Sequence, residues 1–390
     1  MNGTREYQET HPWINFKPDL RDSMYPFWIQ VGQAQAKCEQ LAGVPLLPSV
    51  AKKLHQVYLA KGALATTALE GNTLTEEDAQ NLILGDLNLP PSKGYLAQAL
   101  QNIVDACDSM ATQIVTSQKP LKLTVEGIKK LNYVVLNDLP LSDDISPGEI
   151  REDKVIVGRY RGVAPQDCEY LLGRLCSWLN DNTFLTDESF GIGDGIIKAI
   201  LAHLYVAWIH PFGDGNGRTA RLVEFQILLS SGLPTAAAHL LSNHYNLTRD
   251  EYYFLLDRSS KSGGDVVPFV QYALQGLIDG LNEQIEYVEE QQMGVHWINH
   301  IHSEFHDKDS PANVRRRRLI IDLSDQPDPV AILDIRHISP RIKEIYEDRT
   351  DRTIRNDIYK LVKMNLLEQV GNGVRCKKED MLSFRSPSLT

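Results

Sequence analysis

The sequence predicts a mostly α protein with one short β-hairpin and a small α+β module at its C-terminal end. Three observations carry this. Apolar residues recur at three- and four-residue intervals over most of the first 293 positions, as in Val50, Leu54, Val57 and Leu64 or Ile196, Ile197, Ile200, Leu201, Leu204 and Trp208. That is the spacing of one buried helix face. Only around Val155-Ile156-Val157 does the period change to that of extended chain. From Pro329 an apolar run, two helical stretches and two short strands around Gly371-Asn372-Gly373 follow one another.

Bulk properties narrow the class. At 390 residues, 42% hydrophobic and 23% charged, the chain has room for two domains of ordinary globular composition. No run reaches the roughly 20 apolar residues of a membrane span, and residues 1–13 lack the layout of a secretory signal. The five cysteines (Cys38, Cys107, Cys168, Cys176, Cys376) are scattered without CxxC spacing. They read as reduced thiols in a cytoplasm, not as a zinc site or disulfide framework. Net charge is −11, but from Pro311 onward 16 Lys+Arg face 12 Asp+Glu, giving +4 there and −15 for the rest. Such asymmetry suggests different partners for the two parts.

In chain order, residues 1–48 are rich in aromatics and prolines (Trp13, Phe16, Pro18, Tyr25, Pro26, Phe27, Trp28) and read as an extended arm. A helix starts from Ser49 as N-cap and ends at Leu69-Glu70, with Gly71 just past its end. Thr75, with Asp78 three residues on, caps the next. Helices follow around 94–116 and 124–138, then a hairpin over about 148–162. Helical spacing returns at Gln166 and lasts to Met293, closing one helical domain over 49–293. Residues 294–328 read as a linker or solvated helix; His300, His302 and His306 lack the cysteine or carboxylate company of a metal site. Residues 329–390 have the layout of a winged helix.

The chemistry concentrates in His210-Pro211-Phe212-Gly213-Asp214-Gly215-Asn216-Gly217-Arg218-Thr219-Ala220-Arg221, a loop between two apolar helices. Glycines entering a helix N-terminus leave backbone N–H groups pointing outward, an anion site that the helix dipole reinforces. Arg218 and Arg221, three apart on one face, suit a polyphosphate. A single carboxylate beside phosphates, Asp214, suits magnesium, and His210 suits a general base. An EF-hand is excluded, because its fifth and twelfth positions would be Arg218 and Phe225.

This stretch matches the signature H-x-F-x-[D/E]-G-N-G-R-x-x-R and resembles the Fic family. The resemblance implies a helical core with a hairpin flap and transfer of AMP from ATP to a protein hydroxyl. It implies His210 as base, Asp214 as magnesium ligand, and Gly215, Asn216, Gly217, Arg218 and Arg221 as phosphate holders. It further implies Lys154, Val155 and Ile156 as the flap that docks the target, and Val157, Gly158, Tyr252 and Tyr253 as the nucleotide's walls. Ser260 stands where relatives often carry an asparagine, and Arg159 to Pro165 depart from the usual residues after the flap. Glycine at 217, where the phosphorylating Doc branch has lysine, favours AMP transfer.

Thr66-Thr67-Ala68-Leu69-Glu70-Gly71 matches the same family's inhibitory pattern [S/T]-x-x-x-E-[G/N]. The helix over about 55–71 then carries an inhibitor. Glu70 pairs with Arg221 and withdraws it from ATP, while Thr66, one turn back, bonds the neighbouring backbone or carboxylate. In some relatives this glutamate also supports removal of AMP. The partners implied are ATP and a target protein. A homodimer and DNA contact through Arg352, Arg355 and Lys360 are further partners open to the chain, with no membrane. The rival reading is a nucleotide-sensing, DNA-binding regulator with little turnover.

Overall fold

The computed structural model describes residues 5–18, 20, 23–158, 160–181 and 191–381. Arg159 and the last nine residues of the C-terminal module lie outside these. The chain divides into two compact units, Met1–Ile285 and Glu286–Thr390.

The first unit is helical around one core. Its N-terminal helices are α1 (Tyr7–Thr10), α2 (Tyr25–Ala42), α3 (Pro48–Ala68) and α4 (Glu76–Leu84). Then come α5 (Gly94–Ser117), α6 (Val125–Leu136), the hairpin β1 (Ile156–Val157) and β2 (Tyr160–Arg161), and α7 (Pro165–Leu179). The remaining helices are α8 (Gly191–Ile209), α9 (Asn216–Ser230), α10 (Thr235–Ala238), α11 (Leu240–Leu247) and α12 (Arg249–Lys261), followed by the start of α13 (Val267–Glu304).

The central element is α8. Ile196, Ile197, Ile200, Leu201 and Leu204 are fully buried, which leaves it almost no solvent face. This corrects the reading that no stretch is apolar enough for a membrane: α8 has 19 residues, mean hydropathy 1.5 and 78% burial within the protein. Its apolarity serves the core. Against it lies α9, whose apolar residues Leu222, Val223, Phe225 and Leu228 are also buried.

Residues 1–48 differ from the extended arm expected. Residues 25–42 form α2, whose Phe27, Val31, Ala34 and Cys38 are buried at helical spacing. Pro26 misled the sequence reading; it stands in the first turn, where a helix tolerates proline because that N–H has no partner anyway. Likewise α3 starts at Pro48 with Leu47 as cap, not at Ser49. The Thr75–Asp78 capping box is formed in both directions.

The second unit contains the last part of α13, then α14 (Pro311–Leu323), β3 (Val330–Ala331), α15 (Pro340–Tyr346), α16 (Asp351–Lys363), β4 (Leu367–Val370) and β5 (Gly373–Cys376). Its three-stranded antiparallel sheet has the order β3-β5-β4. Residues 294–328 are largely helical, as one of their two readings has it, and not a linker. Gly294 lies inside α13, and Trp297, Ile301, Phe305, Leu319 and Ile320 join Ile342, Tyr346, Ile354 and Leu361 in one core. The stretch looked polar because only one face of each helix is apolar. All five cysteines are free and buried.

Candidate active site

The loop 210–215 begins where α8 stops. His210 takes φ 49°, the left-handed conformation common just past a helix end, and Pro211 prevents the helix from continuing. A non-glycine residue holds that conformation only where its surroundings over-determine it. Arg151 does so here, donating from Nε to the His210 carbonyl at 2.8 Å and from its N–H to the Pro211 carbonyl at 3.0 Å. The same guanidinium donates to the carbonyls of Asp153 and Val163, so one buried arginine ties the loop to the base of the hairpin.

Two amides close the rest of the loop. Asn216 accepts from the Phe212 N–H at 2.9 Å and donates to the Phe212 carbonyl at 2.8 Å. Its side chain is therefore committed to the loop, and only its backbone N–H remains for an anion. Asn132 of α6, fully buried, donates to the Asp214 carbonyl at 2.9 Å and to Thr219 Oγ1 at 3.2 Å. Its Oδ1 accepts the Gly148 N–H at 2.9 Å. Gly215 is required twice over: φ is 74°, and a Cβ would come within 3.0 Å of the Asn132 amide.

His210 projects into this setting as a neutral imidazole. Burial pushes it down to about 4, and the nearby Arg151 charge adds to the effect, against opposition from the Ala207 carbonyl, Glu70 and Asp214. At neutral pH it can accept a proton.

Beside it, the first-turn N–H groups of α9 have no partner within the helix. The Glu70 carboxylate lies against Gly217 in that turn, where a Cβ would overlap its Oε1. That oxygen accepts from Arg221 Nη2 at 2.6 Å. The Glu70 side chain is 36% exposed and that of Arg221 only 1%, and both border the same cavity. Burial raises the Glu70 pKa, but the Arg221 and Arg218 charges outweigh it and hold the carboxyl below its ordinary range. Arg221 Nη2 also donates to the Thr66 carbonyl at 2.9 Å. This differs from the contact expected of Thr66, a bond to the neighbouring backbone or carboxylate: its backbone carbonyl meets the Arg221 guanidinium instead.

A cavity of about 560 Å³ opens from His210, Gly217 and Arg221 towards Val157 and Gly158 on one side and Tyr252 and Tyr253 on the other. Tyr252 is 2% exposed and its hydroxyl turns inward to His203, so it offers the cavity its ring. Tyr253 is more open, and its hydroxyl donates to the Leu69 carbonyl at 3.2 Å. Ser260 is buried with its hydroxyl on the Asp257 carbonyl at 2.9 Å; Asp257 lines the cavity and Ser260 does not. In the hairpin, Ile156 pairs with Arg161 and Val157 with Tyr160. Lys154 Nζ is bonded to Glu6 at 2.9 Å, and the Val155 carbonyl accepts the Gly162 N–H at 3.1 Å.

Asp214 Oδ1 accepts the Gly215 N–H at 2.5 Å and lies 3.4 Å from Arg218 Nη2, with 46% of the side chain exposed. Among the described residues no three His, Cys, Asp or Glu side chains converge. A divalent ion here would find one protein carboxylate and draw its other ligands from phosphate and water, which fits magnesium.

Residues 122–228, which contain this loop, match the family model described as Fic/DOC family. The chain carries a Fic/DOC family domain. Over 209 residues it is 31% identical to protein adenylyltransferase fic-1 of Caenorhabditis elegans and 26% identical to protein adenylyltransferase Fic of Nematostella vectensis. Each match takes in 53% of this chain, but 37% and 44% of those proteins, so the chain spans less than half of these relatives. A Fic family protein from Desulfovibrio desulfuricans G20 superposes with TM-score 0.55 at 17% identity, over 95% of this chain and 96% of that one. Residues 134–508 of Fic-1 from Caenorhabditis elegans give 0.54 at 22% identity, over 68% and 73%. At those identities the likeness concerns the fold.

The cavity brings together His210, Gly217, Arg221, Glu70, Val157, Gly158, Tyr252 and Tyr253, while Asp214 and Arg218 line a second cavity of about 220 Å³ that Glu70 also borders. Three residues of this setting carried no motif signal: Asn132, Arg151 and Arg249. Arg249 Nη2 donates to the Leu69 carbonyl at 2.8 Å, beside Tyr253, and so grips the residue before Glu70. Each acts through a contact distant in sequence.

Proposed function

We propose that this chain transfers AMP from ATP to a Ser, Thr or Tyr hydroxyl of a target protein or of itself, releasing pyrophosphate, and that Glu70 holds this activity down. The observation that carries the reading is the placement of Glu70 against Gly217 and in an ion pair with Arg221. The relatives' name, protein adenylyltransferase, supports the same chemistry.

In this reaction His210 takes the proton from the acceptor hydroxyl as its oxygen attacks the α-phosphorus. The bond to the β-phosphate breaks, and pyrophosphate leaves with the electron pair. Arg218, Arg221 and the N–H groups at the start of α9 hold the departing charge. Asp214 would hold magnesium, which supplies further charge neutralisation between the phosphates. Val157 and Gly158 cover the nucleoside, and the hairpin edge at Lys154–Ile156 offers backbone groups to an extended target segment. When Glu70 pairs with Arg221, the distal phosphate loses a ligand and the α-phosphate is not aligned. Free, buried cysteines suit a cytoplasmic setting.

The test is transfer from α-labelled ATP. Glu70→Gly is expected to label itself or a lysate protein at least about tenfold more than the parent chain, the loss of one charge-assisted contact. Glu70→Gly with His210→Ala should bind ATP and transfer none. Equal labelling by Glu70→Gly and the parent would remove the inhibitory assignment.

A second reading concerns the C-terminal unit. Arg352, Arg355 and Lys360 are exposed on α16, and among the described residues none of them forms an ion pair. As a winged-helix-like module the unit would place these charges on DNA phosphates or base edges, making the chain a nucleotide-sensing regulator. Arg352→Glu with Arg355→Glu should then abolish salt-sensitive retention of duplex DNA by the full chain.

A further inference from the structure

Beneath the nucleotide cavity lies a buried polar chain that the reaction above does not use. His203 is on α8, seven residues before His210, and Glu224 is on α9, seven residues after Gly217. Both therefore stand two helical turns below the site. They are 0% and 1% exposed. Glu224 Oε1 accepts from the Tyr245 hydroxyl at 2.8 Å, and Oε2 lies 3.4 Å from His203 Nδ1. The other ring nitrogen, Nε2, is 2.9 Å from the Tyr252 hydroxyl.

A carboxylate this deeply buried needs its charge answered. Among the described residues Glu224 has no Lys or Arg partner, so the answer comes from the Tyr245 hydroxyl and from the His203 ring beside it. On the far side of the same ring, Nε2 shares a hydrogen bond with the Tyr252 hydroxyl. The order is carboxylate, imidazole, phenol, running outward from the core to the cavity wall. An apolar cluster would pack these helices without burying a charge. The polar chain adds direction: a hydrogen bond at the hydroxyl, and a stack on Tyr245 with centroids 4.8 Å apart, hold the Tyr252 ring in one orientation.

We propose that Glu224 and His203 are positioning residues for the nucleoside, acting through Tyr252 to hold its ring as a fixed wall for the base. This rests on the reading of the cavity as an ATP site. Because the Tyr252 hydroxyl is spent on His203, the base meets the ring and not the oxygen, so this tyrosine contributes contact area without choosing between adenine and guanine.

The test uses the full chain carrying Glu70→Gly and displacement of a fluorescent ATP analogue. Two competitors read the two ends of the site: ATP senses nucleoside and phosphates, and tripolyphosphate senses the phosphate grip alone. Tyr252→Phe removes one oxygen and keeps the ring; Glu224→Gln keeps the shape and removes the charge. Each should weaken ATP by about three- to tenfold, the worth of one hydrogen bond, and leave tripolyphosphate unaltered. In transfer assays KM for ATP should rise more than kcat falls. If both competitors weaken together, or neither weakens in a folded variant, the chain serves stability alone and the proposal is wrong. Tyr252→Phe decides the matter should Glu224→Gln not fold. Failure of the Glu70→Gly chain itself to bind ATP would instead overturn the ATP-site reading.

Discussion

At the scale of single residues the site is a set of charges whose surroundings decide their state. His210 is kept neutral mainly by burial, which moves its pKa down to about 4. In its proposed role as base it must be unprotonated, so kcat/KM of the Glu70→Gly chain should stay level from pH 7 to about pH 5 and fall only towards pH 4. Removing Glu70 removes one of the charges that raise this pKa, which moves the fall further down. An acid limb near pH 6.5 would show an ordinary histidine. Arg151 is the second residue to test. Its fork of donors holds the carbonyls of His210 and Val163 together, a geometry lysine cannot reproduce. Arg151→Lys should cut transfer by about tenfold or more in the same background, since small misplacements of a base carry rate penalties of that order; unchanged transfer would show that the loop holds itself.

At the scale of elements, the end of α3 is held at three points. Arg221 takes Glu70 and the Thr66 carbonyl, while Arg249 and Tyr253 take the Leu69 carbonyl. Arg249→Ala should therefore raise basal AMP transfer, by less than Glu70→Gly does, because the carboxylate still reaches Arg221. No rise would mean that Arg249 has no part in the latch. The join between α6 and the loop depends on Asn132, whose amide serves three backbone or hydroxyl groups. Asn132→Ala leaves these unpaired in the core and should cost about 1–3 kcal/mol or more in urea unfolding. Elements with clear periodicity, such as α5, α8 and α9, were legible in the sequence, as was the Thr75–Asp78 cap. α2, read as extended arm, and the second half of α13, read as linker or solvated helix, share a cause. Pro26 and Gly294 look like breakers, yet the first sits in a first turn and the second in a helix whose apolar face is fixed by Trp297 and Ile301.

At the scale of the whole molecule, buried histidines tie stability to pH. His210 and His239 have native pKa values near 4 and 3, both mainly through burial, and the unfolded chain titrates near 6.5. Between those values the unfolded state binds more protons, so stability drops as pH falls from about 6.5 to 4. The slope is up to about 1.4 kcal/mol per pH unit for each histidine. Urea midpoints at pH 7, 6 and 5 check this, and a level series would contradict it.

What the sequence determined by itself is the chemistry of twelve consecutive residues, His210 to Arg221, and the helical character of the segments around them. Both are local: a glycine-bounded helix start and a 3.6-residue period need no distant partner. The tertiary structure decided which distant groups meet. Glu70 and Arg221 are 151 residues apart, and the motif pointed to their pairing. The grip of Arg249 on Leu69, the fastening of the loop by Asn132 and Arg151, and the buried line from Glu224 through His203 to Tyr252 had no such pointer. They arise only when helices far apart in the chain pack side by side, and the polar groups they bury must find partners there.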